Sequence, residues 1–330
     1  MYKFKFYSKS IFQHLFFPDI CYRKRLSAIF SKTSEEELKQ ALKRVNYYFK
    51  RKDFFNLDYE DSKTLSSLSC FNKSAYYYDI RAVLRYFPKE FKFNCWLRDV
   101  ITVPDNPCFV KCRPIGKSHE NSAILKLNQV RHYRSIKDPY KYEEKLDKLV
   151  WRGSSFQRTW RSDFIKRFQD HPRCDIGVNI GKGGPLPKRY EKAFLPIGKQ
   201  LRFKFIFSIE GADVATNLKW IAQSNSLCFM KKPKHESWFM EDTLIPNYHY
   251  IEINEDFENL DCKIEYLSEN IDEAKGIIKN FQSHYSQFKE SSNETLISLL
   301  VAVKFFFLSR QLSLDEVGLG GYYDLFTNEN

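Results

Sequence analysis

The sequence predicts an α/β protein of two domains, the second of them a Rossmann-type unit. Three observations carry that reading. At 330 residues the chain is longer than one small core requires and suits two domains of ordinary size. Aromatic residues make up 17% of it and no repeat or Gly/Ser tract interrupts it, so it is globular throughout. From Lys148 onward, apolar strand-like runs alternate with helical spacing, the pattern of a parallel sheet covered on both faces.

The elements follow in order. Leu38, Ala41, Leu42 and Val45 share one face of a helix over 35–49. The next thirty residues are irregular, a short helix runs from Asp79 to Phe87, and the aromatic/polar alternation of Phe91 to Leu97 predicts a strand. Pro104, Pro107 and Pro114 mark a loop-rich passage. Strands are predicted at 148–151, 175–180, 203–209, 226–230 and 248–253, with helices from Asp163 to Phe168 and from about Thr216 to Gln223. Apolar residues then recur at helical spacing from Ile264 to Phe288, and Ser298 to Leu308 reads as a buried helix. That stretch falls short of the roughly 20 apolar residues of a spanning helix and contains Lys304.

Charge is uneven. Residues 1–200 carry 41 Lys and Arg against 21 Asp and Glu, whereas residues 201–330 carry 12 against 20. A basic front half suits an anionic partner: phosphate-bearing glycolipid, a membrane face or nucleic acid. The N-terminal segment mixes Phe4, Phe6, Phe12, Phe16 and Phe17 with Lys3, Lys5 and Lys9, a composition that rests on an anionic bilayer or packs in a core. None of the usual nucleic-acid modules is present, so a nucleic-acid partner is not expected. Eight cysteines in a chain that reads as lacking a cleavable signal sequence fit reduced thiols in cytosol. Only Cys108 and Cys112 lie close together, and no second pair or His cluster stands at zinc-ligand spacing.

Three segments carry candidate chemistry. Phe205 to Lys219 joins a buried strand to a helix through a turn of small residues. Such a junction presents backbone N–H groups and a helix's positive end to a phosphate. Gly211, Ala212, Asp213, Val214 and Ala215 form the turn, Thr216 and Asn217 can cap or hydrogen-bond, and Lys219 adds charge; an ordinary capped helix has the same appearance. Trp151-Arg152-Gly153-Ser154-Ser155 is a second strand end, followed by Arg158 and Arg161, whose guanidinium groups suit forked phosphate contacts. In the other half of the chain, Asp99 ends the run Trp96-Leu-Arg-Asp99, placed to accept a proton from an attacking hydroxyl, with Asp105 as a nearby competitor. No Asp-x-Asp motif occurs, so no divalent ion is expected against a diphosphate.

Read as an ordered series, these segments resemble glycosyltransferase family 90. The resemblance runs from about Phe91 to Phe306. It rests on Trp96-Leu-Arg-Asp99, Val110-Lys-Cys-Arg-Pro114, Val150-Trp-Arg-Gly-Ser154, Glu210-Gly-Ala-Asp-Val-Ala-Thr-Asn-Leu-Lys-Trp220, Glu236-Ser-Trp-Phe-Met240 and Pro246-Asn-Tyr-His-Tyr-Ile251. The Gly-Ala-Asp and Trp-Phe-Met runs are similar to the family's bacterial lipopolysaccharide-core branch.

The resemblance implies a GT-B fold of two facing Rossmann-like domains and an inverting, metal-independent transfer. On this reading residues 1–148 form the acceptor-side domain, 149–300 the nucleotide-sugar domain, and 301–330 a helix and tail returning to the first. Asp99 falls at the family's catalytic base. Arg152, Gly153, Ser154 and either Arg158 or Arg161 fall at the donor grip, and Ala212 to Asn217 at the diphosphate loop. Animal members carry an arginine where this chain has Asn217, which leaves the charge to Lys219 or the other arginines. Trp238 and Glu241 are expected to border the donor sugar, and His249 and Tyr250 either line the cleft or pack. No cofactor is implied; the co-substrate is a nucleotide-sugar, UDP-hexose by expectation. The acceptor is a lipooligosaccharide, and the enzyme is cytoplasmic and peripheral on the inner membrane face. The competing readings are a transferase acting on protein serine or capsule polysaccharide, and a basic nucleic-acid-binding protein.

Overall fold

A reciprocal cap starts the first well-packed helix. The Glu37 N–H donates to Ser34 Oγ at 3.3 Å, and the Ser34 N–H donates back to Glu37 Oε2 at 2.9 Å. The helix Glu35–Tyr48 follows and buries Leu38, Ala41, Leu42, Val45 and Tyr48. The computed structural model describes residues 2–57, 62–68, 74–116, 119–156 and 158–327. Cys70 lies outside them, and the seven cysteines within them are free thiols.

The chain divides into two units. The first comprises Met1–Arg131, His235–Phe239 and Phe288–Asn330, the second His132–Lys234 and Met240–Gln287. The division thus falls after Arg131, ahead of the expected boundary at residue 148. A five-residue segment also returns to the first unit for a packing reason. Trp238 stacks on Tyr48 with centroids 4.0 Å apart, and His235–Ser237 pairs antiparallel with Cys112–Pro114.

In the first unit the helix Ser291–Leu308 packs against the helices Glu35–Tyr48 and Ser74–Leu84. It is long and apolar enough to cross a bilayer, but 78% of it is buried inside the unit, so it serves as a core helix. Phe305 meets Phe109 at 4.3 Å between ring centroids, and one carboxylate, Glu294, accepts from Arg44, Lys126 and the Trp238 indole at 2.6–2.8 Å. Three short parallel strands, Cys95–Trp96, Cys108–Val110 and Ser122–Ile124, form a sheet with the second at its centre. The strand expected over 91–97 is split. Lys92–Phe93 pairs antiparallel with Lys63–Thr64, and Cys95–Trp96 pairs with Cys108–Val110.

The second unit is built on six parallel strands: β1 Leu146–Gly153, β2 Cys174–Asn179, β3 Glu191–Lys192, β4 Phe203–Ser208, β5 Leu227–Met230 and β6 Ile251–Glu252. Their order across the sheet is β6-β5-β4-β1-β2-β3. The strands are near-continuous apolar runs because both faces are covered, and Leu149, Trp151, Phe205, Phe207 and Phe229 are buried against Phe164, Ile264 and Ile277 of the flanking helices. Read from its other edge the order is 3-2-1-4-5-6, that of a doubly wound dinucleotide fold. In that arrangement the chain reverses direction across the sheet between β1 and β4, and the strands' carboxyl ends there flank a crevice.

Candidate functional site

The two strand-end turns sit at that reversal point. β1 ends at Gly153 and β4 at Ser208, and the two strands are adjacent and parallel, with Val150 opposite Ile206. The turn after each therefore leaves the same edge of the sheet. The side chain that joins them is Arg161, in the helix Thr159–Phe168. Its Nη1 donates to the Ser154 carbonyl at 2.8 Å, its Nε to the Glu210 carbonyl at 3.0 Å and its Nη2 to the Ile209 carbonyl at 2.7 Å. Trp160 Nε1 adds a second bond to the Glu210 carbonyl at 3.1 Å. These contacts explain why the helix begins four residues before the expected Asp163: its first turn is anchored across the sheet.

A side chain is excluded at Gly153 unless the Trp151 ring shifts, whereas at Gly211 a Cβ would only touch Arg161. A Cβ on Gly153 would lie 2.6 Å from the Trp151 ring, and one on Gly211 would meet Arg161 Nη2 at 3.4 Å. Ser154 Oγ donates to the Lys182 carbonyl and accepts from the Phe156 N–H, which ties the first turn to the loop after β2. Arg152 turns away from the strand end and pairs with Asp175 at 2.6 Å. Burial pushes the Asp175 carboxyl up, but Arg152 and Lys192 outweigh it and hold the group below the usual carboxylate range. The Arg158 guanidinium lies 5.8 Å from the Trp160 ring centroid.

In the second turn the Gly211 N–H donates to the Asp213 carbonyl at 3.0 Å, which bends the backbone back on itself. Among the described residues, no hydrogen bond engages the backbone N–H of Ala212, Val214, Ala215 or Thr216. Ala212 and Thr216 are half-buried and Val214 and Ala215 buried. A run of unbonded, poorly hydrated donors at a strand-to-helix junction is what a bound oxyanion requires. Asn217 has a different task from the arginine of animal members. Its Nδ2 donates to the Phe207 carbonyl at 2.9 Å and its Oδ1 accepts from Ser208 Oγ at 3.1 Å, so it clamps the strand end and delays the helix to Leu218–Ile221.

Lys219 is fully buried and ion-paired with Glu241, itself 1% exposed. The charge that the sequence reading assigned to Lys219 is thus paired inside the unit and not presented at the surface. Trp238 is likewise fully buried, stacked on Tyr48 and bonded to Glu294, and belongs to the first unit's core. His249 Nδ1 accepts from the Ile245 N–H, and Tyr250 is buried. Burial, then neighbouring His284, lowers the His249 imidazole to about 4, so it is neutral at physiological pH.

Asp99 follows the strand Cys95–Trp96 in the first unit, with half of its side chain exposed. Its partner was not singled out from the sequence. Lys111, at the carboxyl end of the neighbouring strand Cys108–Val110, places Nζ 3.0 Å from Asp99 Oδ1 while its own side chain is only 3% exposed. The signal lay in the run Phe109-Val110-Lys111-Cys112, where a lysine interrupts an otherwise apolar, buried stretch. Asp105 is exposed and its backbone carbonyl accepts from Asn121.

A family model described as Glycosyl transferase family 90 matches residues 125–292, which include both turns and follow Asp99. The chain is 41% identical over 273 residues to a curated protein of Dichelobacter nodosus named O-glucosyltransferase LpsA, an alignment covering 82% of this chain and 85% of that one. By the extent of both matches the chain belongs to glycosyltransferase family 90, and it is a glycosyltransferase.

Proposed function

We propose that the enzyme moves a hexose from a nucleotide-sugar, UDP-glucose as the first choice, to a hydroxyl of a lipopolysaccharide core oligosaccharide, with inversion and without a metal ion. The single observation that carries this is the pair of turns stapled by Arg161 at the sheet's reversal point, with the N–H groups of Ala212, Val214, Ala215 and Thr216 unbonded among the described residues. The glucosyl choice is supported by the name of the Dichelobacter relative, and the metal-free reading by the lack of an Asp-x-Asp motif. A GT-B organisation accords with two units that each carry a parallel sheet and each present their reactive groups at strand carboxyl ends.

The reaction is a single displacement. Asp99 accepts the proton of the acceptor hydroxyl as that oxygen bonds to the anomeric carbon. The bond from that carbon to the diphosphate oxygen breaks, and the charge arriving on the diphosphate meets the 212–216 amides and the arginines after Ser154. Arg161 spends three N–H groups on carbonyls, which favours it for holding the turns. The test is mass spectrometry of core oligosaccharide incubated with UDP-glucose, with and without EDTA. A gain of one hexose that survives chelation is expected; no transfer to the oligosaccharide, or transfer abolished by EDTA and restored by a divalent ion, overturns the acceptor or the metal-free reading respectively. Binding of single-stranded oligonucleotide in preference to UDP at physiological salt would favour the nucleic-acid alternative.

The same proposal places the enzyme in the cytoplasm, peripheral on the inner membrane face. The helix Tyr2–Phe16 exposes Phe4, Ile11, Phe12 and Phe16 beside exposed Lys5 and Lys9, a pairing suited to an anionic bilayer. Co-sedimentation with phosphatidylglycerol vesicles but not phosphatidylcholine vesicles is expected, and equal recovery with both would remove the electrostatic component.

A further inference from the structure

The first unit holds a large cavity that the transfer mechanism does not use. Its volume is about 930 Å³, and its lining includes Lys39, Lys43, Lys50, Lys52, Lys304 and His119. Three carboxylates, Glu36, Asp53 and Glu120, also border it, so the lysines outnumber the acids. Every one of these residues belongs to the first unit, whereas the two strand-end turns belong to the second.

Two buried groups in the lining are incompletely answered by the protein. Lys304 is 1% exposed on the core helix Ser291–Leu308, and its Nζ donates to two neutral oxygens, Asn46 Oδ1 at 2.7 Å and the Phe49 carbonyl at 2.8 Å. A buried ammonium with neutral partners and no carboxylate is costly. Burial, reinforced by Lys52, accordingly lowers it to about 7. His119 is 6% exposed, and its Nδ1 has no hydrogen-bond partner among the described residues. Burial and the nearby Arg113 and Lys50 lower that imidazole too, against Glu236 and a bond with the Gly116 backbone. An anion in the cavity would answer the Lys304 ammonium, and the other lysines of the lining, of which Lys39 also pairs with Glu35, would draw it in.

We propose that this cavity is a phosphoanion site, taking a phosphate monoester or pyrophosphate group of a carbohydrate ligand. The volume exceeds that of a lone phosphate and leaves room for sugar rings, and the mixed lysine and carboxylate lining can bond sugar hydroxyls as well as phosphate oxygens. Phosphates on the acceptor oligosaccharide are one source, which rests on the acceptor reading above. A free phosphoanion that occupies the site independently is the other.

The experiment titrates inorganic pyrophosphate by calorimetry into the full chain already saturated with UDP, so that the nucleotide site is filled. One further anion is expected to bind, and Lys43→Glu combined with Lys50→Glu is expected to weaken it at least about tenfold. UDP affinity of the variant serves as the folding control, and the milder K43Q/K50Q pair gives the same readout if the charge reversal fails to fold. No pyrophosphate uptake by UDP-saturated protein, or uptake unchanged in the variants, overturns the site. Acceptor kinetics then separate the sources. A KM that rises in the variant for native core oligosaccharide but not for phosphatase-treated oligosaccharide identifies acceptor phosphate, and an unmoved KM with lost pyrophosphate binding identifies a free anion. Because pyrophosphate uptake is read without turnover, a chain that binds it yet transfers no hexose would count against the proposed reaction alone.

Discussion

Asp99 and Lys111 stand 3.0 Å apart at the carboxyl ends of two neighbouring parallel strands, the lysine buried and the carboxylate half exposed. A buried cation thus holds an accessible carboxylate, the geometry that the proposed proton acceptance at Asp99 would use. Asp99→Asn is expected to lower kcat by about 100- to 10,000-fold while UDP affinity stays within about twofold. Lys111→Met, which leaves the carboxylate free to rotate, is expected to lower kcat about tenfold with donor KM unchanged. Steady-state kinetics measure both, and undiminished turnover in Asp99→Asn removes that residue from the role.

Arg161 is expected to act through the turns it joins. Arg161→Lys keeps the charge but loses the planar fork that reaches the carbonyls of Ser154, Ile209 and Glu210. UDP affinity should fall about tenfold or more with the far-UV dichroism unchanged. If charge alone mattered, lysine would restore binding, and that result would exclude the positioning role.

The sealed pair of Lys219 and Glu241 should behave as a buried ion pair does. Lys219→Met strands the Glu241 carboxylate and is expected to destabilise the protein by about 3–5 kcal/mol. Adding Glu241→Gln should recover part of that loss, because the uncompensated charge is gone. Urea midpoints of the two variants decide it: an additive loss in the double variant would mean that the two groups do not interact.

Asp79 sets a pH dependence opposite in sign to that of most carboxylates. Burial raises its carboxyl to about 8, against hydrogen bonds from Gln129 that favour the charged form. The folded protein therefore retains a proton that the unfolded chain has released above about pH 4, so this group's contribution is greatest at low pH and is lost as pH rises towards 8. Asp79→Asn, which imitates the protonated acid, should remove a fall in stability on the order of a few kcal/mol between pH 5 and 8. Parallel pH profiles for wild type and variant would refute this account.

The parts legible in the sequence are those governed by local pattern. The apolar runs of β1, β4 and β5 read as strands because strands buried on both faces contain little else. The turns after Gly153 and around Gly211 read as strand-end turns because small residues stand between a strand and a helix. Helix ends were less legible. Thr216 to Gln223 shortens to Leu218–Ile221 because Asn217 spends its side chain on Phe207 and Ser208, partners known only once β4 is in place.

By itself the sequence determined the α/β character of the second unit, the positions of the two turns, the carboxylate at Asp99 and the family to which the chain belongs. Tertiary structure alone decided the division of labour among the charged side chains. Lys219 and Arg152 are absorbed by Glu241 and Asp175, Arg161 becomes a brace, and Lys111 and Lys304 emerge as buried cations. The reason is physical: what a charge does depends on burial and on partners tens of residues away, as with Lys219 and Glu241 or Lys304 and Asn46, and neither quantity is written in local spacing.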